Sequence, residues 1–561
     1  MRVTLWRGRR SERSSLCEVP ALVAYGDGCA RPFWAPGRPT AARARFSTQR
    51  YLPDVVNSVE QLDRLQGALD VVRKEIRSFS LEAIDWFHLK HPPHPVHAEL
   101  LSGQNQALPG KTRLLLSGLS CAFYALYLTA RLVQMRLQNA GWIHRLKKTR
   151  YDLILKSWRF FPDGREGNDD FYFGDLARRA ADKGLKVLTI YGNPNGKSWK
   201  GPKPRVGASP ELPEWCAVPL HAPLACAWSA LRTSFRLRRF ALQTEDSLVR
   251  AVTRRACDDC LRPGALPIAV YFFLGTELAR WIGSGSCLFL YEGHGWERCL
   301  SLGVRRAGLP VRLVGYQHTI LLPHQRSLLG RRRENVFNIP PDAVLYLGHR
   351  TLQRMAESHP QALGIPFGTF RRLPSEGGTQ VQPEPRRRTV LVLPEGHLDE
   401  TQALFQAALA LARRLADHRF VLRCHPVLPF ERVRPHLEGD LGVIPNAVLS
   451  SGRAIEADFL AASAVLYRGS SAVLFAVRYG LKPFYLDLPG LPEIDPLFEL
   501  KEWRERGSSP EVLADRLRAY ALQLPDQAEP SWRIAVRYVR DYLIPVDERS
   551  IQQLLNAVRQ P

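Results

Sequence analysis

Two periodicities divide this chain. Short unbroken apolar runs of strand length alternate with segments whose apolar residues recur at three- and four-residue spacing. Unbroken runs suit strands buried on both faces. Their alternation with helical segments predicts parallel sheets covered by helices, an α/β fold. The runs fall into two sets: 151–156, 185–191, 287–291, 311–315 and 343–348, then 389–393, 420–422, 464–467 and 483–486. Helical patterns at 173–183, 296–307, 401–417 and 472–479 link them, and 515–522 and 532–542 read as closing helices. The 343–348 run reads as the last strand of the first set, and 364–368 as a turn-rich boundary. A polar stretch at 375–388, with Pro383, Glu384 and Pro385, reads as the linker between the sets. Before the first run, 56–79 has helical spacing (Val59, Leu62, Leu65, Leu69, Val72, Ile76) with Ser58 as its cap, and Pro92, Pro93 and Pro95 mark a linker.

In parallel sheets, ligands bind beyond the carboxyl ends of the strands, so the residues following each run carry the functional argument. The 420–422 run ends in Arg423-Cys424-His425-Pro426, and the 464–467 run in Arg468-Gly469-Ser470-Ser471 before a helical segment. Gly469 permits close backbone approach. Ser470 and Ser471 offer hydroxyls and N–H groups where a helix N-terminus favours an anion. His425 can donate to a phosphate oxygen from a turn fixed by Pro426. The alternative readings are a plain N-cap for Ser470-Ser471 and a plain turn for His425-Pro426. The 389–393 run ends in Pro394-Glu395-Gly396-His397, making Glu395 and Gly396 secondary candidates.

The His425-Pro426 and Ser470-Ser471 pair resembles the His-Pro and Ser-Ser motifs of bacterial transferases that use cytidine-activated donors: sialyltransferases, polysialyltransferases, Kdo transferases of capsule synthesis and teichoic acid glycerophosphotransferases. The resemblance covers roughly 151–543. It implies a GT-B fold, two Rossmann-like domains with parallel sheets facing a cleft, preceded here by an α-helical extension. The expected organisation is a basic arm (1–50), a helical region (51–150), an acceptor domain (151–374), the linker (375–388), a donor-nucleotide domain (389–545) and a C-terminal tail (546–561).

In the first half, 287–291 ends in Glu292-Gly293-His294-Gly295-Trp296-Glu297, and 311–315 in Tyr316-Gln317-His318-Thr319. Buried ionisable groups need partners, so two such strand ends point to a shared cleft. Glycosyl transfer with inversion needs a base near the attacking oxygen. Glu292 is the first candidate, with Glu297, His294 and His318 as alternatives. Glu292-Gly293 resembles the end of the acidic-acidic-Gly motif of bacterial sialyltransferases, although Tyr291 stands at its first acidic position. The alternative reading of Glu292 is a favourable charge at a helix N-terminus. Asp169 and Asp170 lie in a loop that faces the cleft or is simply solvated.

Composition sharpens the partners. The chain has 561 residues with 45% apolar and 24% charged content, room for two to four domains. A net charge of +24 suits phosphorylated donors, lipid-linked pyrophosphates or an anionic membrane face. Nucleic acid is not expected, since no RNA-binding signature or zinc-finger spacing occurs. The cysteines are scattered, and Cys257-Asp258-Asp259-Cys260 has no second pair at metal spacing. This usage fits a reducing compartment, and the first ten residues lack an apolar core of signal-peptide length. The most apolar segment, 114–130, is flanked by Lys111, Arg113, Arg131, Arg136, Arg145, Lys147 and Lys148. It reads as an interfacial helix or a buried one.

The expectation is thus a cytoplasmic enzyme, peripheral on the inner membrane, that builds capsule or O-antigen glycan. It would transfer sugar from a nucleotide-activated, CMP-type donor to an oligosaccharide or lipid-linked acceptor, without cofactor or metal. Arg423, His425, Ser470 and Ser471 would hold the phosphate. The rivals are a CDP-polyol phosphotransferase and a non-catalytic glycan- or membrane-binding scaffold.

Overall fold

A computed structural model describes residues 59–90, 94–103, 107–159, 170–192, 209–322, 324–329, 340–371, 373, 388–439, 441–450, 452, 454–488 and 493–559. The expected arm at 1–50, the Ser58 cap, Pro92, Pro93, Asp169 and the 375–387 part of the linker lie outside the described residues.

The first set of apolar runs forms one parallel sheet. Its strands are β1 (Leu153–Trp158), β2 (Val187–Gly192), β3 (Glu211–Pro213), β4 (Ser286–Leu290), β5 (Arg312–Gln317), β6 (Ala343–Tyr346) and β7 (Leu363–Pro366), ordered β3-β2-β1-β4-β5-β6-β7. The second set gives β8 (Thr389–Leu393), β9 (Arg419–Leu422), β10 (Ala447–Leu449), β11 (Ala464–Tyr467), β12 (Lys482–Leu486) and β13 (Glu505–Gly507), also parallel, ordered β10-β9-β8-β11-β12-β13. In each sheet the chain winds outward from a central strand, then restarts on its other side. The reversal leaves a crevice between β1 and β4 and another between β8 and β11. These are two Rossmann-like domains with helices on both faces, the GT-B architecture, carrying extra N-terminal helices.

The central strands explain the unbroken apolar runs. Leu153, Ile154, Leu288, Phe289, Leu391 and Leu466 are fully enclosed, because helices cover both sheet faces. The connecting helix Leu398–Arg414 keeps Leu404, Ala408 and Leu411 inward, with Asp399 and Glu400 in its first turn and Arg413 and Arg414 in its last. Those charges complement the helix dipole.

Three features differ from the expectation. The 364–368 stretch is not simply a boundary: β7 pairs with β6, so 343–348 is not the last strand. The described part of the expected tail, up to Arg559, holds a packed helix. The helix Glu548–Arg559 returns to the first domain, where Ile551, Leu554, Leu555 and Val558 join its core. Finally, a block of helices between β3 and β4, chiefly Ala222–Gln243, Ser247–Asp259 and Tyr271–Ile282, packs against the N-terminal helices. Trp86 donates to Asp259 at 2.7 Å across that contact. The described helices between Val59 and Lys147 therefore pack as part of the first domain rather than as a separate appendage.

The domains meet through the helix Pro525–Tyr542. The Leu321 amide donates to the Tyr542 hydroxyl at 2.7 Å, and Arg354 pairs with Glu499 and lies over the Tyr542 ring.

Candidate functional site

Two residues after β4, Glu292 sits at the first crevice. One oxygen lies 2.6 Å from His318 Nε2 and the other 3.1 Å from His294 Nε2. His318 follows β5 directly, and Lys90 stands 3.3 Å from His294 Nδ1. The lysine can only donate there, so His294 presents its Nε2–H to Glu292. Burial works to raise the Glu292 pKa, but the two imidazoles outweigh it and hold the carboxyl well below the usual range. Glu292 is half-buried, whereas the side chain of His318 is 6% exposed. A partly exposed carboxylate thus stands at the crevice with an imidazole against each oxygen.

Glu297, the alternative base, has a different place. It is enclosed, and its oxygens accept the amides of Glu292 (3.0 and 3.1 Å) and Gly293 (2.8 Å). Burial and the Glu292 charge push its pKa up, while those amides pull it down. Its geometry clamps the loop that carries Glu292 and leaves no oxygen for an acceptor hydroxyl.

Asp170 likewise turns inward. Its Oδ1 accepts the Tyr172 and Phe173 amides at 2.7 and 2.8 Å. The loop instead offers rings: Tyr172 packs on His318 with centroids 4.5 Å apart.

In the second domain, three strand ends converge. Gly396 follows β8 with φ +103°, and a Cβ there would fall 2.7 Å from His425 Nδ1. The imidazole therefore lies flat on the Gly396 backbone. The Val427 amide donates to that Nδ1 at 3.4 Å, which leaves the proton on Nε2. Burial lowers the His425 pKa to about 4, so it is a neutral donor at pH 7. Gly469, after β11, has φ +81°, and the Glu395 carboxylate occupies the space a Cβ would take. Ser470 is buried and Ser471 half-buried, and Ser471 makes no side-chain capping bond. The helix that follows, Ala472–Arg478, is only two turns, so its dipole adds less than the sequence suggested.

Arg423 differs from its expected role. Its guanidinium is 2.6 Å from the fully buried Asp458 and 3.3 Å from Ser450 Oγ, so it braces the β9–β10 edge. Pro426 forms the turn as expected, but Arg468 pairs with Glu400 and the Tyr485 hydroxyl inside the domain.

One cation that touches both domains is one the sequence did not single out. Arg371, just past β7, lies 5.0 Å over the Phe171 ring and 5.9 Å from that of Phe475 in the second domain. It is exposed and makes no ion pair among the described residues. The only signal in the sequence is Arg371-Arg372 between a turn and a polar linker, a common surface pattern.

Comparison with known proteins found no matching family model and no matching curated protein. Among solved structures, the chain is similar to a glycotransferase of kitacinnamycin (13% identity, 73% of this chain, 99% of that one, TM-score 0.42). It is also similar to an α,α-trehalose 6-phosphate synthase from Burkholderia multivorans (13%, 73% and 98%, TM-score 0.41). A third similar structure is WaaG, a glycosyltransferase of lipopolysaccharide biosynthesis (12%, 73% and 100%, TM-score 0.37). At such scores the fold rests on the strand order itself.

Proposed function

We propose that this chain is a GT-B glycosyltransferase that moves a sugar from a nucleotide-activated donor, CMP-linked by preference, to a surface polysaccharide or lipid-linked glycan. The observation that supports this reading is geometric: Arg371, beside the Phe171 ring of the first domain, also lies 5.9 Å from the ring of Phe475, on the helix that follows Ser470-Ser471 in the second. In the reaction we infer, Glu292 takes the proton of an acceptor hydroxyl, the hydroxyl oxygen bonds to the anomeric carbon, and the carbon–oxygen bond to phosphate breaks. The nucleotide leaves with the electron pair. His425 Nε2–H and Arg371 offset its charge, with Ser470 and Ser471 as further donors. Protein cations, rather than a divalent ion, do this in our reading, so turnover is expected to survive EDTA.

The test is a thermal-shift titration with CMP, CDP, UDP and GDP. The reading predicts a rise with CMP that is lost in His425→Ala and reduced in Arg371→Leu. A preference for CDP would move the assignment to polyol-phosphate transfer. No response to any nucleotide would overturn it in favour of a non-catalytic scaffold.

A further inference from the structure

The helix Lys111–Gln138 buries one stripe, Leu114, Cys121, Ala125, Leu128 and Leu132, in the first domain. Its opposite stripe is just as apolar. Leu116, Leu119, Phe123, Leu126 and Tyr127 are 41 to 71% exposed, and no charged residue occurs between Arg113 and Arg131. A water-facing helix surface would carry polar residues there. The helix Ala222–Gln243 packs antiparallel beside it. Gly118 approaches Leu231, Arg238 donates to the Pro109 carbonyl, and Arg136 to the Val218 carbonyl at 2.7 Å. Trp228 and Leu224, three and seven residues before Leu231, lie on the same stripe at that seam and are 62 and 42% exposed. Two helices thus join their outward apolar residues into one contiguous apolar face rimmed by polar residues, the pattern of an interaction site.

The charge around the face selects its partner. Residues 100–151 and 215–244 contain no Asp or Glu. Lys111, Arg131, Arg145, Lys147, Lys148 and Arg239 are exposed, with no carboxylate partner among the described residues. A second copy of the chain would bring the same positive charge. So would residues 1–50, with ten arginines against Glu12, Glu18 and Asp27. An anionic lipid surface is complementary in both respects: apolar interior for the rings, headgroup charge for the basic rim.

We infer that this two-helix face docks the protein on an anionic bilayer, with Lys111–Gln138 lying in the plane of the interface. The helix is long and apolar enough to cross a membrane, as is Pro263–Ile282. The latter is mostly enclosed, and the buried stripe of Lys111–Gln138 is tied to the domain core, so lipid cannot surround either. The inference is independent of the transfer chemistry, and binding alone tests it.

The full chain is floated with vesicles of phosphatidylcholine, with and without phosphatidylglycerol. The expected result is strong association with the anionic vesicles, weaker association with neutral ones, and partial release by salt. In the double variant Phe123→Glu/Trp228→Glu, association falls at least about tenfold. Both residues are exposed, so the melting temperature and any nucleotide-induced shift should stay as in wild type. No flotation of the wild type, or equal flotation of the variant, would overturn the inference. So would resistance to alkaline carbonate extraction, which marks a span. A dimer lost in the variant without any flotation would assign the face to a second copy instead.

Discussion

Replacing Gly396 by alanine tests the geometry that aims His425. At φ +103° an L-residue is strained, at about 1–3 kcal/mol. The new Cβ would lie 2.7 Å from Nδ1 and 2.8 Å from Cγ of the imidazole, inside contact distance, so the ring must move. That movement also breaks the 3.4 Å bond from the Val427 amide, which contributes about 0.5–1 kcal/mol. The sum, about 1.5–4 kcal/mol, appears as a lower denaturation midpoint. The functional effect is separate. A hydrogen bond to a charged phosphate is worth about 1.5–3 kcal/mol, so a misplaced Nε2–H weakens nucleotide binding by roughly 10- to 150-fold. Calorimetric titration and urea denaturation measure the two effects. The control is Gly67→Ala, in the helix Val59–Ile76, where a Cβ meets nothing within 4 Å. There alanine should stabilise by about 0.5–1 kcal/mol and leave binding unchanged. If Gly396→Ala matched wild type in both stability and affinity, the ring would not be positioned by the glycine backbone, and the donor-site geometry would be wrong.

Other consequences follow from the same contacts. Glu297→Gln keeps one oxygen for the Gly293 amide but turns its NH2 group against the amide of Glu292. It should lower stability by about 1–3 kcal/mol and cut turnover while leaving nucleotide affinity intact, as urea curves and titrations would reveal. His318→Gln removes the imidazole that keeps Glu292 ionised. The Glu292 pKa then rises towards the ordinary carboxylate range near 4.3, and the acidic limb of the rate profile moves to higher pH. An unmoved limb would rule Glu292 out as the titrating base. Stability itself should fall in acid. His97 is buried, and its pKa is lowered to about 4, below an unfolded value near 6.5. The unfolded chain therefore takes up the proton first. The neutral-histidine contribution is complete above pH 6.5 and is lost as pH falls towards 4. At pH 5 the loss for one such residue is about 2 kcal/mol, and His97→Asn should flatten the pH dependence seen in urea denaturation between pH 7 and 5.

The strands legible in the sequence were those buried on both faces. Runs 389–393 and 464–467 coincide with β8 and β11, because a strand covered by helices must be apolar at every position. The edge strands β3, β10 and β13, three residues each, carry no such signature and are fixed by their neighbours' open hydrogen bonds. The helix Glu548–Arg559 has helical spacing, but nothing local shows that it crosses to the other domain. The same division holds for the site. Glu292, Glu395, Gly396, His425 and Ser470 stand out as candidates because they follow apolar runs, and the switch-point rule places such residues at crevices. Arg423 follows a run too, but the buried Asp458, 35 residues on, claims its guanidinium. Glu297 sits at a helix start that looks like any other acidic first turn. Arg371 is brought to the cleft by the way the domains meet, which leaves no mark in its own neighbourhood.

The central claim is that Glu292 and His425, on opposite domains, serve one transfer reaction. The most direct measurement is nucleotide release from CMP-activated sugars with glycan acceptors, comparing wild type with Glu292→Gln and titrating CMP against both. The account predicts that Glu292→Gln binds CMP within about twofold of wild type while turnover falls by about 100-fold or more. Undiminished turnover in Glu292→Gln, or loss of CMP binding together with activity, would contradict it.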